Sequence, residues 1–208
     1  MRIDLHVHTW PKSQCSKINP KDLIREALRI GLDGFCLTEH QVLWDMEEVR
    51  KLAEENGVRI FRGNEFTTAQ GDVLTFGFYE DIKEIITVSE LCERVRAAGG
   101  FSIAAHPFRG FKTFGFGQLE MSLDQAGKKK ILQFVDAVEI RNGRVTENEN
   151  EVACAVARKL ELRATAGSDA HELDALGTWV TVFDEELETE DDLVDALKSG
   201  RYSIETLR

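Results

Sequence analysis

Short apolar runs alternate along the chain with longer segments of amphipathic character. Segments in which apolar residues recur every three or four positions predict helices between the runs. Strands that alternate with helices are typical of βα units and a mainly parallel sheet. The runs that predict β-strands are Ile3–Val7, Gly34–Leu37, Val58–Phe61, Val73–Phe78, Phe101–Ala105, Val135–Ile140, Arg163–Ala166 and Thr178–Phe183.

Helix boundaries are marked by capping residues. Asn19 followed by Pro20 is an N-cap with proline at the first helical position, and Gly31 ends that helix. Thr87 and Glu90 have the spacing of a capping box. The predicted helices run from Asn19 to Gly31, up to about Gly57, from Thr87 to Gly99-Gly100, and from Val152 to Leu160.

Seven or eight strands in 208 residues fit a compact, distorted β/α barrel. A full eight-unit barrel typically needs about 250 residues. An open, doubly wound sheet is the alternative fold. We expect a single domain over residues 1–208, because no repeat or linker divides the chain. The glycine-rich and phenylalanine-rich stretch from Gly110 to Gly117 is predicted to be a loop at the rim.

The formal net charge of −11 argues against an extended nucleic-acid groove, because it repels a polyanion. It leaves open a phosphorylated small molecule, a nucleotide or an oligonucleotide end in a metal-lined pocket. Much of the negative charge lies between Asp184 and Asp192, a run that we interpret as a solvated surface.

A cytoplasmic location without membrane attachment is expected. Met1 is not followed by a basic and apolar leader, and the chain lacks a run of about 18 apolar residues. The four cysteines are scattered and form no CxxC pair, which argues against a zinc ribbon or a disulfide framework and favours a reducing compartment. The oligomeric state is not indicated.

All five histidines of the chain lie at the ends of predicted strands, together with acidic residues. Side chains at positions i and i+2 of a strand point to the same side, so His6 and His8 can reach one ion. In a parallel sheet the carboxyl ends of the strands share one face, where distant residues converge. The residues concerned are His6 and His8, Glu39 and His40, Glu65, His106, and Asp169 and His171.

A mixture of imidazole and carboxylate ligands suits two or more hydrolytic divalent ions. Each piece also has an ordinary explanation. The two histidines of the first strand could be a chance pair, His40 could cap a helix, His106 could be a strand-end histidine, and Asp169 could be a turn residue. The metal interpretation is favoured because all five histidines lie at the ends of predicted strands and none is left for the surface or the core.

The ordered motifs resemble the polymerase and histidinol phosphatase (PHP) superfamily of metal-dependent phosphoesterases. They are Asp4-Leu5-His6-Val7-His8-Thr9, Leu37-Thr38-Glu39-His40, Gly63-Asn64-Glu65, Ala105-His106-Pro107 and Gly167-Ser168-Asp169-Ala170-His171. The resemblance implies a distorted seven-stranded β/α barrel, related to the TIM barrel, that holds two or three divalent ions such as zinc, manganese or iron.

By position, the resemblance implies three groups of metal ligands. His6, His8, Glu65 and Asp169 would hold one ion, and Glu65 would bridge to a second ion bound by His106. His40 and His171 would hold a third ion.

Three positions depart from the family pattern. Asp72 stands near a position that is often histidine, and it is either a ligand that favours harder ions or a turn residue. Cys15 lies where many members supply aspartate or histidine to the third ion, so it is either a soft ligand or a packing residue. Glu39 replaces a common aspartate, and its greater length could be absorbed around the ligands.

Substrate phosphate is expected to need additional positive charge. Arg109 is the first candidate, followed by Arg141 and Lys112, and Asn142 is a candidate for hydrogen bonding to substrate or for holding a loop. Glu139 is a further acidic candidate. The aromatic residues Phe111, Phe114 and Phe116 could stack on a base, cover the pocket or pack on the rim.

These features predict a metal-dependent phosphoesterase that hydrolyses a phosphomonoester or phosphodiester with a metal-activated water. His171, or a carboxylate such as Glu65 or Asp169, is the candidate to assist proton transfer to the leaving group. The alternatives are a histidinol-phosphate phosphatase and a non-catalytic, metal-stabilised binding module.

Overall fold

The computed structural model describes residues 1–110 and 123–208. Nine strands of these residues form one sheet, with several predicted apolar runs at its centre. The strands are β1 (Arg2–Val7), β2 (Gly34–Leu37), β3 (Arg59–Thr68), β4 (Gly71–Phe76), β5 (Phe101–Ala104), β6 (Ala137–Asn142), β7 (Arg163–Gly167), β8 (Val180–Phe183) and β9 (Tyr202–Glu205).

Helices connect most of the strands and begin at side-chain caps. Asn19 accepts a hydrogen bond from the Lys21 amide, and Asp45 accepts from Glu47 and Glu48 at the start of the second helix. The helices are α1 (Pro20–Ile30), α2 (Met46–Asn56), α3 (Val88–Ala97), α4 (Leu123–Ala126), α5 (Glu147–Lys159) and α6 (Glu190–Ser199), with short 3-10 helices at Lys130–Gln133 and Leu173–Ala175.

The strand order is β7-β6-β5-β4-β3-β2-β1-β8-β9. The neighbours β1, β2 and β3 are parallel, as are β5, β6 and β7, whereas β4 is antiparallel to both β3 and β5. A bridge between Val7 and Ala170 brings the end of β7 back to β1. The sheet therefore forms a nearly closed, distorted barrel, which confirms the predicted fold class with nine strands in place of seven.

The third strand is longer than its apolar run predicts. It continues through Glu65 to Thr68 and forms a hairpin with β4, in which Glu65 is opposite Leu74. Glu65 therefore lies within a strand and does not follow one. Polar residues hid this continuation because they interrupt the apolar pattern on which the strand prediction depended.

Two helices also differ from the sequence-based expectations. α5 begins at Glu147, earlier than predicted, because Thr146 and Glu149 form a reciprocal capping box. Thr189 and Asp192 form a second capping box at the start of α6. The acidic run is thus not merely a solvated surface, since part of it starts a helix and its member Glu190 pairs with Arg62.

A buried cluster inside the barrel joins side chains from β1 to β6 and β8 with the apolar face of α6. Its members include Ile3, Leu5, Phe61, Leu74, Phe76, Phe101, Ile103, Phe183 and Leu193. Burial of each large apolar side chain contributes roughly 1.5–3 kcal/mol, so this cluster holds the strand ends in fixed relative positions. Within the described residues, no helix has the length and apolar character needed to cross a membrane.

Candidate metal centre

The carboxyl ends of the parallel strands bring the predicted ligands together. His6 lies in β1, and His8 follows it. The His8 amide donates to the Ala170 carbonyl at 3.0 Å, which holds the segment after β7 beside β1. Gly167 allows this approach, since a Cβ there would lie 2.5 Å from the Cβ of His6.

The ligand atoms form three groups, in each of which all atoms lie within 4.8 Å of one another. The groups overlap, because His6 and His8 each belong to two of them. The first consists of His6, His8 and Asp169, the second of His6, Glu65 and His106, and the third of His8, His40 and His171.

Distances within the first two groups are short. Nε2 of His6 and Nε2 of His8 are 3.0 Å apart, and they lie 3.6 Å and 3.4 Å from Oδ1 of Asp169. Nε2 of His106 lies 3.0 Å from Oε1 of Glu65. All these side chains are buried, and that of His106 is the most exposed, at 6%.

One buried oxygen has no hydrogen-bond partner, which bears on whether the site fits metal ions. Oε2 of Glu65 lies 3.4 Å from Nε2 of His6, 3.2 Å from Nε2 of His8 and 3.0 Å from Nδ1 of His40, yet it forms no hydrogen bond. A buried carboxylate oxygen without a partner is costly. Imidazole nitrogens together with a carboxylate oxygen are typical ligands of divalent metal ions. The three histidine nitrogens around Oε2 of Glu65 therefore fit the metal interpretation.

Other side chains orient the histidines. Nδ1 of His6 lies 3.0 Å from Oε1 of the buried Glu139. The second oxygen of Glu139 accepts from the His106 amide at 2.8 Å and from Nδ2 of Asn142 at 2.9 Å. A carboxylate that holds Nδ1–H leaves the lone pair of Nε2 for a metal. Glu139 therefore acts on the position of ligands.

Electrostatics in the cluster are dominated by carboxylates around His6. Burial lowers the pKa of His6, but the charges of Asp169, Glu139 and Glu65 outweigh burial and raise this pKa well above its usual range. Burial raises the pKa of Glu65, but the charge of His6 and the hydrogen bond from His106 keep it well below its ordinary value. The site thus favours a positive charge at its centre.

His171 is in a different environment. Burial lowers its pKa to about 4, although its contact with the Asp169 carbonyl acts in the opposite direction. Nδ1 lies 2.9 Å from that carbonyl oxygen, which requires the proton on Nδ1 and leaves a lone pair on Nε2. A neutral imidazole with a lone pair on Nε2 suits metal ligation.

The three departures from the family pattern have different surroundings. Cys15 is exposed, and its sulfur lies 3.1 Å from Nε2 of His171, beside the third group. Glu39 accepts from the Thr9 amide and from Nε1 of Trp44, at 2.9 Å for the latter, so it joins two loops. Asp72 is paired with Thr67 in the hairpin and belongs to none of the three groups, so its role as a ligand stays a prediction.

The candidate phosphate-binding residues are also placed differently. Nη2 of Arg109 donates to Oδ2 of Asp169 and, at 3.4 Å, to Oδ1 of Asn142, so both residues border the first group. Arg141 pairs with Glu151 at 2.6 Å and stacks over Trp179, which compensates its charge. Lys112, Phe111, Phe114 and Phe116 lie outside the described residues.

Two residues at the site were not predicted from the sequence. Asp4 is fully buried and accepts from the amides of His6, Ser168 and Gly177, at 3.2, 2.9 and 3.1 Å. The signal for Asp4 was a carboxylate in an otherwise apolar strand. Arg144 lies on the loop after β6, where its amide donates to Oδ1 of Asn142 at 2.8 Å.

Arg144 is exposed, and its charge influences the site. Its charge lowers the pKa of His171 and opposes the effect of burial on the pKa of the Cys15 thiol. Considering residues 1–110 and 123–208, Arg144 forms no ion pair. Only its spacing of two residues from Asn142 could have signalled it.

Backbone strain is concentrated at this end of the barrel. Four residues other than glycine have positive φ in the described chain, and three of them are Gln41, His106 and Asp169, with φ of 55°, 29° and 54°. Such conformations persist only where the surrounding structure imposes them, and they are enriched at functional sites.

The sequence matches two models of known protein families. The PHP domain matches residues 4–105, and the PHP-associated family matches residues 147–202. An uncharacterized protein of Methanocaldococcus jannaschii is 30% identical over 117 residues, which are 52% of this chain and 68% of that protein.

Solved structures share the fold. A two-domain protein of Bacteroides vulgatus containing a predicted PHP-like metal-dependent phosphoesterase has a TM-score of 0.71 at 20% identity, covering 99% of this chain and 64% of that one. A structure from Bifidobacterium adolescentis, named as a proposed metal-dependent phosphoesterase, has a TM-score of 0.64 at 18% identity, covering 94% and 95%. Together with the family matches, these findings show that the chain belongs to the PHP domain family.

Proposed function

We propose that this protein is a metal-dependent phosphoesterase that hydrolyses the ester bond of a phosphorylated small molecule or nucleotide. The observation that carries the proposal is the overlap of three ligand groups through His6 and His8. Overlapping groups are the arrangement needed to hold ions close enough to act on one phosphate.

Different ligands would hold different ions. His6, His8 and Asp169 would hold one ion, and Glu65 would connect it to an ion bound by His106, since its two oxygens face the two groups. Bound divalent ions supply Lewis-acid polarisation of phosphoryl oxygens and acidification of water. Zinc, manganese and iron all accept this mixture of imidazole and carboxylate.

Substrate phosphate would be bound by arginines at the rim. Arg109 pairs with Asp169, and this contact would be released when Asp169 holds a cation. The backbone amide of Arg144 donates to Asn142, its charge lowers the pKa of His171, and its side chain has no ion pair within the described parts of the chain. We therefore assign phosphate binding to Arg109 and Arg144. Asn142 would position both residues, because its Oδ1 accepts hydrogen bonds from Nη2 of Arg109 and from the amide of Arg144.

His171 would serve as a ligand more readily than as a proton donor. Its pKa of about 4 keeps it neutral at pH 7, and its Nδ1 proton is engaged by the Asp169 carbonyl. A donor to the leaving group must carry a proton on the nitrogen that faces it. Glu65 and Asp169 also have lowered pKa values, which favours both as ligands over proton donors.

The test is metal analysis combined with hydrolysis. Protein purified without chelators would be analysed for metal content and assayed on an aryl phosphomonoester, an aryl phosphodiester and histidinol phosphate with added manganese. Two or three ions with turnover of aryl esters support the proposal. Turnover of histidinol phosphate alone would favour the narrower phosphatase, and bound metal without any turnover would favour a binding module.

A further inference from the structure

A cavity of about 650 Å³ is lined partly by His40, which is also a member of the third ligand group. Its walls come from the loop after β2, from β3 and from the segment after β4, and they include His40, Val42, Asn64 and Tyr79. Small-molecule sites typically have volumes of about 300–1,000 Å³, so the cavity has room for a metabolite-sized group.

The cavity and the metal centre share His40. Nδ1 of His40 lies 3.0 Å from Oε2 of Glu65, while the same residue forms part of the cavity wall. The neighbouring Gln41 is tied to the same strand, since its amide donates to the Glu65 carbonyl at 3.1 Å. Asn64 and Glu65 are consecutive in β3, so their side chains point to opposite faces. Because His40 borders both the cavity and the metal centre, a phosphoester at the metal centre would reach the cavity past His40.

Charges along the cavity wall are compensated within the protein. Lys83 pairs with Asp81 at 3.3 Å, and Glu80 pairs with Arg94 at 3.1 Å. The hydroxyl of Tyr79 donates to Glu190. An anionic ligand would find no uncompensated cation in this part of the wall, so the cavity suits an uncharged group.

The remaining wall combines aliphatic and amide groups. Val42 and Leu43 supply apolar surface, and Gln41 and Asn64 supply amides. Asn64 is 3% exposed, and its Oδ1 is buried without a hydrogen-bond partner. Apolar surface with a few polar groups is typical of sites for ring-shaped, hydroxyl-bearing ligands, and the unpaired amide oxygen lacks a donor such as a hydroxyl or amino group.

We propose that this cavity binds the alcohol part of the substrate, an uncharged, hydroxyl-bearing ring group such as a sugar or a nucleoside. The proposal rests on the proposed phosphoesterase function, because it places the phosphate at the metal centre and the alcohol beyond His40. It specifies a monophosphate ester, because among the described residues of the cavity wall Lys83 is paired with Asp81, and a second phosphate would compete with that carboxylate.

Two measurements test the cavity. The first compares kcat/KM for methyl phosphate, glucose 6-phosphate, glucose 1,6-bisphosphate and adenosine 5′-monophosphate. The second uses saturation-transfer NMR to detect binding of free glucose and free adenosine to chelator-treated protein, which does not depend on catalysis. The variant Val42→Trp fills the cavity, and Ile85→Trp is the matched control because Ile85 is exposed and does not line the cavity.

A kcat/KM at least about tenfold higher for a ring monophosphate than for methyl phosphate is expected, since even one additional methylene in an apolar pocket discriminates about 10- to 200-fold. This ratio should fall at least about fivefold in Val42→Trp and stay unchanged in Ile85→Trp. The sugar and nucleoside arms show which ring is bound. Equal kcat/KM for all the esters, or a preference for the bisphosphate, would overturn the inference.

The binding measurement separates the two proposals. Binding of glucose or adenosine that Val42→Trp removes, without hydrolysis of any ester, would contradict the phosphoesterase function and retain the cavity as an alcohol site. Hydrolysis of methyl phosphate without binding of either free alcohol and without preference for ring esters would retain the function and overturn the cavity inference.

Discussion

The carboxylate of Glu139 lies 3.0 Å from Nδ1 of His6, and this contact turns Nε2 of the ring toward His8 and Glu65. The same carboxylate accepts from the His106 amide at 2.8 Å. One buried side chain on β6 therefore positions two candidate ligands that come from β1 and from the segment after β5.

Replacing Glu139 by glutamine should weaken metal binding by about 10- to 100-fold. The amide nitrogen of glutamine cannot accept hydrogen bonds, so either His6 or the His106 amide loses its partner. Metal titration of chelator-treated protein measures the change. Glu93→Gln is the control, because Glu93 is exposed on α3. Equal metal affinity in the two variants would contradict the orienting role.

Replacing His6 or Asp169 by alanine should remove bound metal and abolish hydrolysis, because each residue belongs to the first ligand group and His6 also to the second. Elemental analysis and the aryl phosphoester assay measure the two effects. Asp174→Ala is the matched control, since Asp174 is exposed and lies outside the ligand groups. Full activity in both site variants would refute the assigned centre.

Replacing Arg144 by alanine should raise KM for a phosphomonoester, and the inhibition constant of inorganic phosphate, by about tenfold. Loss of one charge-assisted contact costs about 1.5–3 kcal/mol, and about 1.4 kcal/mol corresponds to a factor of ten. Metal content should not change, and Arg144→Lys should recover part of the affinity. Arg158→Ala is the control on the exposed surface of α5. Unchanged phosphate inhibition in Arg144→Ala would remove Arg144 from the site.

The ion pair of Arg62 with Glu190, at 2.6 Å, fastens α6 to β3. Replacing Glu190 by glutamine should lower the free energy of unfolding by about 1–3 kcal/mol at pH 7, because a partly buried guanidinium loses its charged partner. Chemical denaturation measures the loss. Glu185→Gln is the control, since Glu185 and Arg201 form an exposed pair that contributes little.

The effect of Glu190 should depend on pH. Burial raises the pKa of Glu190, but Arg62 and the hydrogen bond from Tyr79 outweigh burial and lower it below the ordinary value of 4.5. A carboxyl with a lowered pKa in the folded state stabilises the protein above its unfolded pKa, and this contribution is lost as the pH falls through the folded value. The stability difference between the protein and Glu190→Gln should therefore shrink below about pH 4.5. A difference that grows in acid would contradict the assignment.

The sequence predicted the candidate site most clearly at β1. The apolar run, the i and i+2 spacing of His6 and His8, and the location of the other histidines after predicted strands all indicated one cluster, and the structure brings these residues within ligand distance of one another. Local periodicity carries this information, because it depends only on the side-chain alternation of a strand. The start of α5 and the polar continuation of β3 were missed because capping and hairpin pairing outweighed apolar patterning there.

The sequence by itself determined the alternation of strands and helices, and through its family resemblance it predicted the barrel class and the candidate metal ligands. Tertiary structure alone decided which arginine is free, since Arg141 pairs with Glu151 while Arg144 does not form an ion pair among the described residues. It also decided that Asp4 holds three backbone amides and that a cavity opens beside His40. Such features depend on contacts between residues far apart in the chain, and no local pattern of hydrophobic and polar positions encodes those distances.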